Sequence, residues 1–215
     1  MRAARETLAG FRQAGDVTLS ALQEVAEAAG MKIEMGDRPG KGLTTLDAGM
    51  GRVREYAAML GMSPEGIDHV ELQAREQYDK AIRITESPIE RSMLAALLTG
   101  RWAGCDTIPP KVHDGRKDAL ELLPLGDVVV VPQMAFIRFR LDFGLVVEKG
   151  GHRHILAIEC DGAAYHTDAR QDRFRDAYLK SWNVPTFRLN GSTIHEDAIA
   201  AADELIGAIC AWKAS

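Results

Sequence analysis

The chain predicts an α/β fold, a mixed β-sheet core flanked by helices, with a helical N-terminal region ahead of it. Three observations lead there. Residues 137–166 read IRFRLDFGLVVEKGGHRHILAIECDGAAYH, two apolar runs joined by Glu-Lys-Gly-Gly-His, the pattern of a hairpin between buried strands. From Thr85 onward the elements alternate as helix, three strands, helix, strand, helix, an order that suits a sheet covered by helices. Finally, 215 residues of which 46% are hydrophobic can bury a sizeable core.

Taken in order, residues 1–84 are helical and chemically quiet. Helical apolar spacing at Leu19, Leu22, Val25 and Ala26 stops at Gly30. MGDRPGKGLTT reads as a loop; its Arg38, Gly40, Lys41 and Gly42 lack the full spacing of a nucleotide-binding loop and suit an ordinary basic surface segment better. A helix near Leu46 to Leu60 ends at Gly61, and Ser63 with Pro64 opens the next. In TESPIERSMLAALL, Ser87, Pro88 and Glu90 have the spacing of a capping box, with Met93, Leu94, Leu97 and Leu98 as the buried stripe. DVVVVPQM is a strand that Pro132 ends or kinks. Thr167 and Asp168 cap a helix from about Ala169 to Trp182 on which Phe174, Ala177, Tyr178 and Leu179 pack. VPTFRL is a strand, and a closing amphipathic helix packs through Ile194, Ile199, Leu205, Ile206 and Ile209.

The formal charge is −5, which argues against a protein that coats nucleic acid nonspecifically. No apolar run approaches a membrane span and the first residues lack a signal-peptide core, so a cytoplasmic location is expected. Cys105, Cys160 and Cys210 have no paired spacing, and a disulfide framework or zinc site is not indicated. His152 and His154 lie in the hairpin connection, His69 reads as a surface or packed residue and no ligand, and the sequence identifies no site for His113 or His195.

The chemistry is concentrated in acids placed where core strands should carry none. Asp142 interrupts the first hairpin run and Glu159 closes the second. Side chains alternate faces along a strand, so Glu159 and Asp161 share a face and a hairpin partner brings Asp142 beside them. Crowded buried carboxylates need a neutralising cation, and an all-oxygen site suits magnesium, with manganese as a substitute. Gly162 allows a close backbone approach there.

SPIE at residues 87–90, Gln133, RLDF at 140–143, AIECDG at 157–162, YH at 165–166 and DRFRD at 172–176 occur in an order that resembles the PD-(D/E)XK, or restriction-endonuclease-like, nuclease superfamily. The resemblance is greatest to small stand-alone proteins related to very-short-patch-repair endonucleases, and covers residues 85–215. It implies a restriction-endonuclease-like sheet with Asp142 and Glu159 as metal ligands, the Cys160 carbonyl as a backbone ligand, and Glu90 as an outer or second-metal acid. Where the general motif has lysine, this chain has Asp161, either a third ligand or a group that orients His166. His166 and Lys180 are alternative candidates for the lysine's role. Arg140, Arg170 and Arg173 are candidate contacts to DNA phosphates, Arg173 foremost because it shares a helix side with Lys180; Arg138 and Arg175 read more simply as solvated charge.

The expected activity is therefore metal-dependent cleavage or nicking of DNA, in repair or defence. The alternative is a nuclease-shaped binding or regulatory subunit without catalysis. RNA as substrate, a protein partner and a homodimer all stay open.

Overall fold

The computed structural model describes residues 40–102, 110–113, 128–161 and 169–214. They lie within a compact unit spanning Pro39–Ser215; a first unit, Met1–Arg38, lies outside the described residues. Five helices and five strands are present among them. In chain order these are α1 (Gly40–Met59), α2 (Pro64–Ala81), α3 (Pro88–Leu98), β1 (Lys111–Val112), β2 (Val129–Phe136), β3 (Phe139–Lys149), β4 (His152–Asp161), α4 (Ala169–Ser181), β5 (Thr186–Asn190) and α5 (Gly191–Ala214).

The strands form one mixed sheet in the order β1-β2-β3-β4-β5. β1 runs parallel to β2 and β5 parallel to β4, while β2-β3 and β3-β4 are antiparallel. The expected hairpin is β3-β4, closed by Gly150 and Gly151, both at positive φ. Two successive left-handed residues match the twist of the flanking strands, and glycine adopts that conformation without a Cβ penalty.

Local signals behave as their chemistry dictates. Ser63 and Ser87 cap α2 and α3 by accepting from the N–H groups of Gly66 and Glu90, each followed by proline. Asn183, at φ 54, ends α4, and the Val184 N–H donates to the Leu179 carbonyl, satisfying an end carbonyl as asparagine caps do. Three expectations need correction. Gly40–Thr45 is the first turn of α1 and no loop: Gly42 and Gly49 sit where a Cβ would collide with Tyr78 and Thr99, so these glycines serve close helix packing. Of the two roles expected for Pro132, ending β2 is ruled out because the strand continues to Phe136, while the positive φ of Gln133 beside it marks a local kink. Phe174 is 54% exposed and packs into no core. α5 also contains a break at Asp197, whose carboxylate accepts from the N–H groups of Ile199 and Ala200 and so caps the segment beyond.

Among the described residues the sheet separates two cores, one larger than the other. On one face Phe143, Leu145, Val147, Leu156 and Ile158 meet Leu46, Tyr78, Leu94, Leu97, Leu205 and Ile206 from α1, α2, α3 and α5. Helices from before and after Thr85 thus share a single core. On the other face Val129, Val131, Val146 and Ala157 meet Leu179 of α4 and Val184.

Candidate functional site

Alternation decides which side chains reach the α4 face of the sheet. In β4, Leu156 and Ile158 belong to the larger core and Ala157 to the smaller one, so Glu159 and Asp161 project toward α4. In β5, Phe187 and Leu189 pack against the larger core, which turns Arg188 to the same polar side. The parallel register sets Arg188 beside Glu159 and Asn190 beside Asp161.

Across the hairpin the regular ladder stops at Phe143↔Ile158, and Asp142 lies one residue further, opposite Glu159. Its Oδ2 accepts from the Cys160 N–H at 2.7 Å, so the carboxylate reaches between the strand ends. On the other side of β3, alternation slips in both strands. Val131 and Met134, and likewise Leu141 and Val146, belong to the smaller core although their spacing is odd. Gln133, at φ 52, stands at that slip opposite Asp142. A glutamine in a left-handed conformation carries strain, and here its side-chain amide donates to Glu90 Oε2 at 2.7 Å.

Glu90 is 6% exposed. Its Oε2 also accepts from the Glu86 N–H at 2.9 Å, so it closes the start of α3 while facing Gln133. Glu159 is 3% exposed and ion-paired with Arg175 of α4, whose guanidinium also donates to the Arg140 carbonyl at 2.9 Å. Arg188 donates to Asp161 at 3.1 Å and to Asp176 at 2.7 Å.

The electrostatics follow from burial and crowding. Loss of solvent pushes the Glu159 carboxyl up to about 8; Arg175 opposes that rise and Asp142 adds to it. Asp142 is raised chiefly by burial, against which the Cys160 N–H works, with Glu90 and Asp161 raising it further. Burial and the four surrounding acids push the Cys160 thiol well up, so it is a packed thiol and no nucleophile.

Of the sequence-derived candidates, Glu90, Asp142, Glu159, Cys160 and Asp161 thus come together. Lys180 is exposed and lines a groove with Asp176, Pro185 and Arg188. Arg140 is exposed and pairs with Glu86 at 2.6 Å, and Arg173 is exposed on α4. His166 and the Arg170 side chain lie outside the described residues. Arg175 and Arg188 are the charged groups at this site that the sequence did not single out. Arg188 was findable, because period two in β5 opposes it to Phe187 and Leu189; Arg175 was not, since only the docking of α4 brings it to Glu159.

Among the described residues no three His, Cys, Asp or Glu side chains form a ready-made metal cage. The donor chemistry nevertheless suits a magnesium-type ion, which takes one or two carboxylates and keeps its waters: Asp142, Glu159 and the Cys160 carbonyl supply oxygen donors, and the raised carboxyls lack full compensation. No family model matches the chain, and no curated protein or solved structure matches it either.

Proposed function

We propose that this chain is a divalent-metal-dependent endonuclease that nicks or cuts DNA phosphodiester bonds with activated water. The observation that supports this best is the meeting of Asp142 and Glu159 at the open end of β3-β4, with the Cys160 backbone between them and Glu90 and Asp161 in electrostatic reach. The resemblance to PD-(D/E)XK nucleases rests on the same residues. Asp142, Glu159 and the Cys160 carbonyl would hold magnesium or manganese, which supplies an acidified water and offsets charge on phosphate oxygens. Arg175 sits on Glu159 and is placed to turn toward a phosphate once that carboxylate is otherwise neutralised. Gln133 and the α3 cap fix Glu90 beside Asp142. Within this reading, Arg175 joins His166 and Lys180 as a candidate for the missing lysine's role.

One observation favours a second reading, a nuclease-shaped binding or regulatory subunit. Glu159 and Asp161 each already have an arginine partner, as in a structural ion-pair network. A cleavage panel of supercoiled plasmid, linear duplex, mismatched duplex, single-stranded DNA and RNA, with magnesium or manganese, separates the two. The enzyme reading expects metal-dependent cleavage that falls roughly a hundredfold or more in Asp142→Ala and Glu159→Ala. Intact substrates throughout, alongside binding of nucleic acid or a protein, would sink it.

A further inference from the structure

Aromatic residues make up only 6% of the chain, yet four of them gather at one place on the surface. Phe174 and Tyr178 on α4 and Trp182 in the turn just after it follow one another at four-residue spacing, which lines them up on one side. Ring centroids are 6.2 Å apart for Phe174 and Tyr178 and 6.5 Å apart for Tyr178 and Trp182. Phe139, at the start of β3, meets Tyr178 edge-on at 5.4 Å. The Arg138 guanidinium lies over three of these rings, 4.7 to 5.2 Å from their centroids.

Two of the rings are exposed, and Phe139 and Tyr178 are half-buried beneath them. Phe174 is 54% exposed, Trp182 56% and the neighbouring Ile137 58%. Leaving this much apolar ring surface in water is unfavourable, and a contiguous patch of it marks an interaction site. Its composition is informative: flat rings and a planar cation, with one aliphatic side chain beside them. Flat rings and a planar cation can stack on bases; protein interfaces use the same residues, so what favours a nucleic-acid strand is where the patch lies. The patch is also continuous with the acidic site. Arg175 reaches Glu159 from the same helix turn, and its second bond goes to the Arg140 carbonyl, next to Phe139.

We propose that the Phe174-Tyr178-Trp182 stripe, with Arg138, stacks unpaired bases of a nucleic-acid strand, so that single-stranded nucleic acid is the preferred ligand of this surface. The inference deepens the nuclease reading and rests on it for the chemistry, but binding is measurable without cleavage. Because the net charge is negative, stacking must carry much of the affinity that a basic protein would draw from its field.

The test uses the full chain in EDTA with a fluorescein-labelled oligothymidylate, the matching oligouridylate and a duplex of equal length, read by anisotropy. Single strands are expected to bind more tightly than the duplex, and the two single-stranded arms decide between DNA and RNA. Tryptophan emission is expected to be quenched on binding, and this quenching to be lost in Trp182→Phe while affinity is kept. Phe174→Ala and Trp182→Leu are expected to weaken binding roughly 5- to 150-fold, the range for one lost stacking contact. These side chains are exposed, so the variants should fold; circular dichroism checks this. Equal binding of duplex, unchanged affinity in Trp182→Leu, or sedimentation showing a dimer that Trp182→Leu dissolves would overturn the proposal. Tight single-strand binding without metal-dependent cleavage keeps it and sinks the nuclease reading. Duplex cleavage without single-strand binding does the reverse.

Discussion

Glu159 concentrates the electrostatic tension of this protein in one carboxyl group. Its ordinary value of 4.5 is lifted to about 8 in the fold, burial outweighing the pull of Arg175. A folded-state value above the unfolded one means that stability is full below about 4.5, declines as the pH rises toward 8, and is flat beyond. Without metal, the thermal midpoint is therefore expected to fall across that window, and Glu159→Gln to flatten the dependence. Magnesium should raise the midpoint more at pH 8 than at pH 5, because only the ionised carboxylate gains from it. Arg175→Met takes away the stronger of the two arginines, Arg175 and Arg188, that oppose the shift. Its destabilisation should be small at pH 6, where Glu159 can stay protonated, and reach on the order of 3 kcal/mol at pH 9, measured by urea unfolding. Asp142 and Glu159 were legible from the sequence because acids inside apolar runs are costly and therefore conspicuous. Arg175 was not, because an arginine on a polar helix looks the same whether it meets water or a buried acid.

Helix packing makes a different kind of demand. Gly42 and Gly49, one above the other on α1, let that helix approach Tyr78 and Thr99 where a methyl group would collide. Alanine at either position would gain helix propensity of at most about 1 kcal/mol but should lose about 1–3 kcal/mol through overpacking, a net fall visible in denaturant midpoints. The Tyr78 hydroxyl facing Gly42 is buried without a hydrogen-bond partner, and burial pushes its pKa up to about 12. Tyr78→Phe should consequently stabilise the protein by about 1 kcal/mol, a gain that the same unfolding experiment detects. This face also explains where the sequence misled. Glycines in GKGLTT resemble turn residues, and their use as packing surface depends on a partner helix that local pattern cannot reveal. Caps and the Gly150-Gly151 turn, by contrast, act through neighbours in the chain and were readable.

At the largest scale, the described residues are distributed unequally about the sheet. α1, α2, α3 and α5 crowd one side, and Leu46, Met50, Ala74 and Tyr78 from before Thr85 are part of that core. A fragment beginning at Thr85 should therefore lose cooperative unfolding, with sigmoidal thermal melts replaced by a broad transition and dye-binding apolar surface. Composition marked a change at Thr85 because the strands begin soon after it, but composition cannot tell a topological boundary from a structural one. The order of strands and helices beyond Thr85 was legible from hydrophobic periodicity, apart from the two-residue β1, which is too short to leave a pattern. Among the described residues no helix is long and apolar enough to cross a membrane.

The opposite side of the sheet holds α4, whose deepest anchor is Leu179, fully buried beside Val184. Among the described residues little apolar contact lies beneath it, and this helix should open at a lower free energy than the β2-β3-β4 centre. Amide protons along residues 173–181 are accordingly expected to exchange sooner than those of residues 143–147. Anything that grips the outward rings or the Arg175 carboxylate partner would slow them, so the weakest-held helix becomes the natural reporter of occupancy.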